Sequence, residues 1–359
     1  MTFLKDNDAF NKAADAVDTT HIKDVVSHRK VASYSVGGAD TAVAYFSDML
    51  NTPRKTPTGI NELSAAIGGG YPQGVSIVGG VPNCGKTTLC VQSALEMSRA
   101  GYPSVFLSYD MSGYEIIDKV YSQVSYELFA DKGYTLQDIA KRKLLAKSDE
   151  NQSLIQSVVD ATQLFTVVDM LDEDYLQKII GTDYGTVPAV KSVMHLYCSV
   201  YDHPTFFVDN LQQLVGYLGY EGKIGVDKTL NMLKAYAREY QVPIVLISTL
   251  GRASYDKPLE ISSMKESGNI DYAASVIFGI EPKFITDGDE SVTIDDFRAN
   301  DRRDITIKCL KSRDAGFQKR TITLNAPYCR FEPHDPNNPN TPGKRKRQKV
   351  RFVDDHISG

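Results

Sequence analysis

Two glycines five residues apart, followed at once by a lysine and two threonines, are the most chemically specific stretch of the chain. The segment Gly80-Val81-Pro82-Asn83-Cys84-Gly85-Lys86-Thr87 follows the apolar run 75–78, and Thr88 continues it into a periodic segment ending near residue 100. Glycines at both ends let backbone amides turn inward around a polyphosphate, and a lysine there reaches the terminal phosphates. A threonine hydroxyl ligates magnesium, and the N-terminus of the following helix adds its dipole. The stretch therefore reads as a phosphate-binding loop for a nucleotide and Mg2+. Hydrolysis requires more, namely an acid near the magnesium and a group that orients the attacking water. Asp209, directly after the buried-type run Thr205-Phe-Phe-Val, suits the first role as a Walker B carboxylate. Asp110 follows the apolar run 105–109 and suits the second; capping a helix over 112–128 is its other reading.

These groups need a sheet to hold them. Strand 75–78, the loop, a helix and the run 105–109 make a βαβ unit, hence parallel pairing with a right-handed crossover. Further strands are read at 164–168, 205–209, 242–249, 275–279, 305–310 and 321–324. Helical periodicity recurs at 116–128, 136–147, 154–164, 175–180, 190–200 and 226–240. The expected fold class is α/β, a twisted, mostly parallel sheet with helices on both faces. The first 55 residues read as a helical appendage and linker. Within it, 39–50 has an apolar stripe that packs either on its own domain or on a neighbouring subunit. Residues 56–335 make the ATPase domain, and the proline- and lysine-rich stretch 336–359 reads as a disordered basic tail.

Composition bounds the setting. With 42% hydrophobic and 24% charged residues the chain is an ordinary globular one. No apolar run approaches the ~18 residues of a membrane span, and the first residues lack the pattern of a signal peptide, so a cytoplasmic protein without membrane contact is expected. Five scattered cysteines fit free thiols in a reducing compartment, not a zinc site or disulfide scaffold. Six Lys or Arg against two Asp put the tail at +4, and the chain total of -5 then leaves -9 on the rest. An acidic body argues against broad coating of nucleic acid, though not against a local basic channel.

The motifs in order carry a family resemblance. Thr58-Gly-Ile-Asn-Glu-Leu, Gly68-Gly-Gly, the phosphate loop, Val105-Phe-Leu-Ser-Tyr-Asp-Met-Ser112, Phe207-Val-Asp-Asn-Leu-Gln-Gln-Leu214, the stretch 242–252, 265–270 and Lys311-Ser-Arg313 together resemble the C-terminal ATPase domain of DnaB-type replicative helicases. The resemblance covers roughly residues 56–332 and implies a RecA-like fold. It implies phosphate and magnesium roles for Lys86, Thr87 and Asp209, and places Asp110 where the family has a catalytic glutamate. Thr249 falls where the family has a glutamine that senses the γ-phosphate. Lys311 and Arg313 match a basic pair that reaches the ATP of the adjacent subunit, which implies a homo-oligomer, a ring or helical assembly, with a hexameric ring the expected form.

The departures are as informative. The family's N-terminal domain is missing or reduced to the first 55 residues, which suits a phage or other mobile element. Asp110 and Thr249 both differ from the family's residues. The expected DNA-facing loops offer only Lys223 in 215–226 and Arg252 and Lys257 in 251–264, with Tyr217, Tyr220 and Tyr255 available for base stacking. The leading expectation is an ATP-driven motor on single-stranded DNA that translocates or unwinds in replication, with a replication or loader protein among its partners. A RecA- or KaiC-like assembly protein without unwinding activity, or a slow ATP-dependent switch, are the alternatives.

Overall fold

The computed structural model describes residues 55–141, 149–181, 186–216, 222–264, 270–313 and 318–336. The appendage 1–54 and the tail beyond 336 lie outside the described residues, as do 217–221 of one expected DNA-facing loop. The strands are β1 (Lys55–Thr56), β2 (Tyr71–Pro72), β3 (Gly74–Gly80), β4 (Ser104–Ser108), β5 (Phe165–Asp169), β6 (Thr205–Asp209), β7 (Pro243–Thr249), β8 (Val276–Pro282), β9 (Arg302–Ser312), β10 (Lys319–Asn325) and β11 (Arg330–Pro333). The helices are α1 (Asn61–Ala66), α2 (Lys86–Arg99), α3 (Gly113–Phe129), α4 (Leu136–Ala140), α5 (Asp149–Ala161), α6 (Glu173–Tyr175), α7 (Val187–Val200), α8 (Leu211–Gly216), α9 (Gly222–Tyr240), α10 (Ile270–Ala273), α11 (Lys283–Asp287) and α12 (Ile294–Ala299).

β1 and β2 form a separate two-stranded pair, and nine strands make one sheet in the order β11-β10-β9-β8-β3-β7-β6-β4-β5. The six strands from β8 to β5 are parallel, and β9, β10 and β11 extend them antiparallel. The chain moves toward the β5 edge through β3, β4 and β5, then returns through β6 and β7 to pair again with β3. Right-handed crossovers therefore place α2, α3 and α5 on one face and α7 and α9 on the other. The packing agrees: α2, α3 and α5 contact one another, while α9 contacts α7 and α8. With helices on both faces, the central strands are buried along most of their length and mainly apolar, as 75–78, with Ser76 its one polar residue, and 244–247 show. Phe106 and Phe207 stack at 6.1 Å within this core.

The parallel topology sets the position of the chemistry. The carboxyl ends of β3, β4, β6, β7 and β8 all reach one edge of the sheet, where the loops that can hold a ligand gather. Several elements differ from expectation. Strand β8 runs on past Gly279 to Pro282, β9 spans Arg302–Ser312 where 305–310 is expected, and β1, β2, β11 and the short helices α1, α8, α10, α11 and α12 add to the expected set. Of the helix expected over 136–147, Leu136–Ala140 is helical and 142–147 lie outside the described residues. Among the described residues no helix is long and apolar enough to cross a membrane.

Candidate functional site

The phosphate loop leaves β3 at Gly80 and enters α2 at Lys86. Its two glycines are required by close packing. A Cβ at Gly80 would lie 2.7 Å from the Ile280 carbonyl oxygen, and one at Gly85 would lie 2.9 Å from the Phe331 ring. Gly85 also has φ +86, a left-handed conformation that glycine adopts without steric cost. Asn83 at the tip has φ +67, tolerated by asparagine more readily than by most residues. Val81 and Cys84 are buried beneath the loop, and burial pushes the Cys84 thiol up to about 12 despite nearby Lys86. A thiol held in that state fills space and does not react.

Lys86 turns its ammonium into the loop, donating to the carbonyls of Gly80 at 2.9 Å and Val81 at 3.2 Å. Burial lowers its pKa, opposed by the negative groups around it, Asp209 and Asp110 among them. Across the crevice, Thr87 Oγ1 donates to Asp209 Oδ2 at 2.6 Å. Asp209 is 2% exposed, and desolvation raises its carboxyl to about 6, with the Thr87 hydrogen bond acting in the other direction. A buried, under-solvated carboxylate touching a hydroxyl at a helix start is a donor set for a hard divalent cation. Among the described residues no three His, Cys, Asp or Glu side chains gather as a metal site. A magnesium held by Thr87 and Asp209 would therefore complete its shell with water and phosphate oxygens, as Mg2+ ordinarily does. The cradle, the lysine and this oxygen pair fit a magnesium–nucleotide.

Asp110 lies at the same edge, exposed, and its charge acts on both Asp209 and Lys86. It is not the cap of α3. That role belongs to Ser112, whose hydroxyl accepts from the Glu115 amide while Glu115 accepts from the Ser112 amide. A neighbouring acid, Asp169 at the end of β5, is occupied by the amides of Gly113 and Leu171. Thr249 pairs with Gly80 across β7 and β3, so it borders the first residue of the loop.

Two neighbours were not legible in the sequence. Gln212 follows β6, accepts the Thr249 N–H at 3.0 Å and donates to Ser248 Oγ at 3.3 Å. Arg303, at the start of β9, donates to the Asn83 carbonyl at 3.3 Å and to the carbonyls of Arg298 and Asn300. Gln212 falls within the motif 207–214 but shows no role there; nothing local to Arg303 points 220 residues back to the loop.

Lys311 and Arg313 are not brought to this site. Lys311 pairs with Ile277, three residues before the Ile280 that pairs with Gly80, which is ~10 Å along the strand toward the opposite edge. There its ammonium donates to the Ala274 carbonyl at 3.1 Å, and Arg313 is exposed. Lys223 at the start of α9 and Lys257 in the loop 250–264 are exposed, and Arg252 opens a short turn in that loop.

Comparison with known proteins agrees with this layout. The family model for the DnaB-like helicase C terminal domain matches residues 56–333. The replicative DNA helicase DnaB of Buchnera aphidicola subsp. Baizongia pistaciae (strain Bp) is 26% identical over 263 residues, 67% of this chain and 50% of that protein. The chain thus spans about half the length of the curated relatives it matches. Among solved structures, an isolated ATPase domain superposes with a TM-score of 0.64 at 17% identity, covering 84% of this chain and 100% of that one. A DnaB-like replicative helicase, solved in a study of its interactions with primase, gives 0.63 at 15% identity over 88% of this chain and 71% of that one. At such identities the likeness establishes the fold, an α/β RecA-like P-loop domain.

Proposed function

The chain belongs to the DnaB-like helicase C-terminal domain family, and from that premise we propose that it is an oligomeric ATP-hydrolysing motor that acts on single-stranded DNA during replication. The observation that carries this reading is the 2.6 Å contact of Thr87 with Asp209 beside the Lys86-lined loop, with Lys311 and Arg313 at the far edge of the sheet. One chain supplies a magnesium–nucleotide cradle and, well away from it, a basic pair suited to a transferring phosphoryl group. A second copy, presenting its Lys311 and Arg313, completes the cradle of the first.

Magnesium, when bound, neutralises phosphate charge, and ATP supplies the phosphoanhydride bond. The remaining work falls to side chains. Lys86 holds and neutralises the outer phosphates, Thr87 and Asp209 hold the cation, and Asp110 orients a water and takes its proton. The neighbour's Arg313 offers a planar, permanently charged fork to the developing negative charge. A ring, a hexamer in the expected form, makes each hydrolysis depend on assembly. Lys223, Arg252 and Lys257 are the cations assigned to DNA, with a loader or other replication protein as a further partner.

The test is ATP turnover by a homogeneous oligomer with and without single-stranded DNA, paired with a strand-displacement assay. Stimulation with displacement supports the motor; no stimulation overturns it. Turnover or assembly without displacement supports the second reading, a nucleotide-controlled assembly protein, whereas slow turnover from the shorter Asp110 and the Thr at 249 supports an ATP-dependent switch.

A further inference from the structure

Gly79 of β3 and Gly279 of β8 are register partners, so their missing side chains leave one continuous hollow on the sheet beside the phosphate loop. The loop 250–264 fills it. A Cβ on Gly79 would lie 2.7 Å from Met264 Cε, and one on Gly279 would meet three atoms of Leu259, at 2.5, 3.1 and 3.3 Å. Leu250 and Met264 close the neck of the loop through an antiparallel bridge, reinforced by the Gly251 N–H to the Ser263 carbonyl at 3.0 Å. Leu250, Leu259 and Met264 are all buried.

Leu259 is also held by its backbone on both sides. Its N–H donates to Glu281 Oε2 at 2.6 Å, and its carbonyl accepts from Lys308 Nζ at 2.9 Å. Glu281 is 1% exposed, and its other oxygen accepts from Thr286 Oγ1 at 2.6 Å. A buried carboxylate is costly unless its oxygens are satisfied, and here one of its two short partners is a loop amide. The middle of a partly exposed loop is thus pinned to β8 and β9, and its neck rests on the residue before Gly80.

We propose that the Gly79–Gly279 seat and the Glu281–Lys308 clamp on Leu259 are positioning elements that tie the loop 250–264 to the phosphate-loop strand. Displacement of that strand end by nucleotide is then transmitted to the loop as a unit. Only the DNA readout below rests on the proposed function, through the placing of Arg252 and Lys257 on DNA.

The test uses the full chain and its Gly279→Ala variant, whose added methyl occupies the seat of the Leu259 side chain. Hydrogen exchange across 250–264 is followed with and without a non-hydrolysable ATP analogue, beside nucleotide affinity and turnover with and without single-stranded DNA. In the unaltered protein the Leu259 amide is protected and exchange across the loop responds to the analogue. In Gly279→Ala, protection at Leu259 falls by about tenfold or more and the response of the loop disappears, while nucleotide affinity and DNA-free turnover stay within about twofold. Adding Leu259→Ala removes the clash, keeps the clamped backbone, and restores the response, an interaction between neighbours that independent effects would not produce. A loop that responds normally in Gly279→Ala, or no recovery in the double variant, overturns the proposal. Should Gly279→Ala fail to melt cooperatively, Glu281→Gln, which keeps volume and weakens the acceptor, must lose the response in its place. If DNA stimulates neither protein, the motor reading fails while the exchange data still decide the clamp. If DNA stimulates both equally and exchange is unchanged, the clamp fails alone.

Discussion

Gln212 holds Thr249 by its backbone, accepting the Thr249 N–H at 3.0 Å, and Thr249 in turn pairs with Gly80 at the root of the phosphate loop. The segment after Asp209 is thereby linked to the end of β7 and to the nucleotide edge through one amide side chain. Removing it by Gln212→Ala leaves a strand-end N–H without its partner, at a cost of ~1–3 kcal/mol. It also loosens the end of β7 beside the site. Turnover is expected to fall about tenfold to a hundredfold with nucleotide affinity changed much less, because positioning errors near reacting groups act on rate. Steady-state kinetics with separate nucleotide titration check it. Gln212→Glu, which keeps the acceptor, is expected to recover most of the loss.

Asp209 predicts a pH dependence of definite sign. Burial raises its carboxyl from 3.8 to about 6, so in the metal-free protein the folded state binds a proton more tightly than the unfolded chain. The stability this proton contributes is complete below about pH 4 and is lost as pH rises through about 6. From these values the loss is ~3 kcal/mol at most. Magnesium binding runs the other way, since the cation needs the carboxylate and competes with the proton below about pH 6. Asp209→Asn is expected to flatten the pH dependence of the metal-free melting temperature. It should also abolish the magnesium dependence of nucleotide binding and cut turnover by about a hundredfold or more. Calorimetric melts from about pH 4 to about pH 8, with and without Mg2+, measure both signs.

Arg303 straps the tip of the phosphate loop, since one guanidinium donates to the Asn83, Arg298 and Asn300 carbonyls together. Burial lowers its pKa, but a guanidinium starts so far above neutrality that it stays charged. Replacement by lysine keeps the charge and loses the fork that reaches three carbonyls. Nucleotide affinity in Arg303→Lys is expected to drop about threefold to tenfold, the order of one modest hydrogen bond. Equilibrium binding of a fluorescent ATP analogue reads it out, and unchanged affinity would show that the strap contributes nothing to the loop.

Much of this arrangement was legible because it is local. The strand, glycine loop and GKT spacing identify the cradle, and the acids after 105–109 and 205–208 fall at the same edge once the strands are parallel. The failures are equally physical. The strand expected over 275–279 stops at Gly279; in the fold that glycine is a seat for Leu259, and the strand continues to Pro282. The four residues of β11 alternate Arg330, Phe331 and Glu332 too briefly to signal a strand, yet Phe331 packs beneath Gly85. Arg303 and Gln212 act through contacts that no spacing encodes. The helix read at 39–50 and the basic tail lie outside the described residues.

The separation of Lys86 from Arg313 makes the shared site testable without imaging. Lys86 lies at the phosphate loop, whereas Arg313 follows the far end of β9, near the strand start of β8. If each site combines Lys86 of one copy with Arg313 of the next, Lys86→Ala and Arg313→Ala should each abolish most turnover alone. Mixed at equal amounts, a site works only when an Arg313→Ala copy, with its own Lys86, faces a Lys86→Ala copy, with its own Arg313. Random mixing gives about one quarter of such pairs in a closed ring of head-to-tail contacts, so activity is expected to return to about a quarter of the unaltered rate. Subunit exchange at low protein concentration followed by ATP turnover measures it. No recovery, with both variants still assembling, would place the completing cation elsewhere.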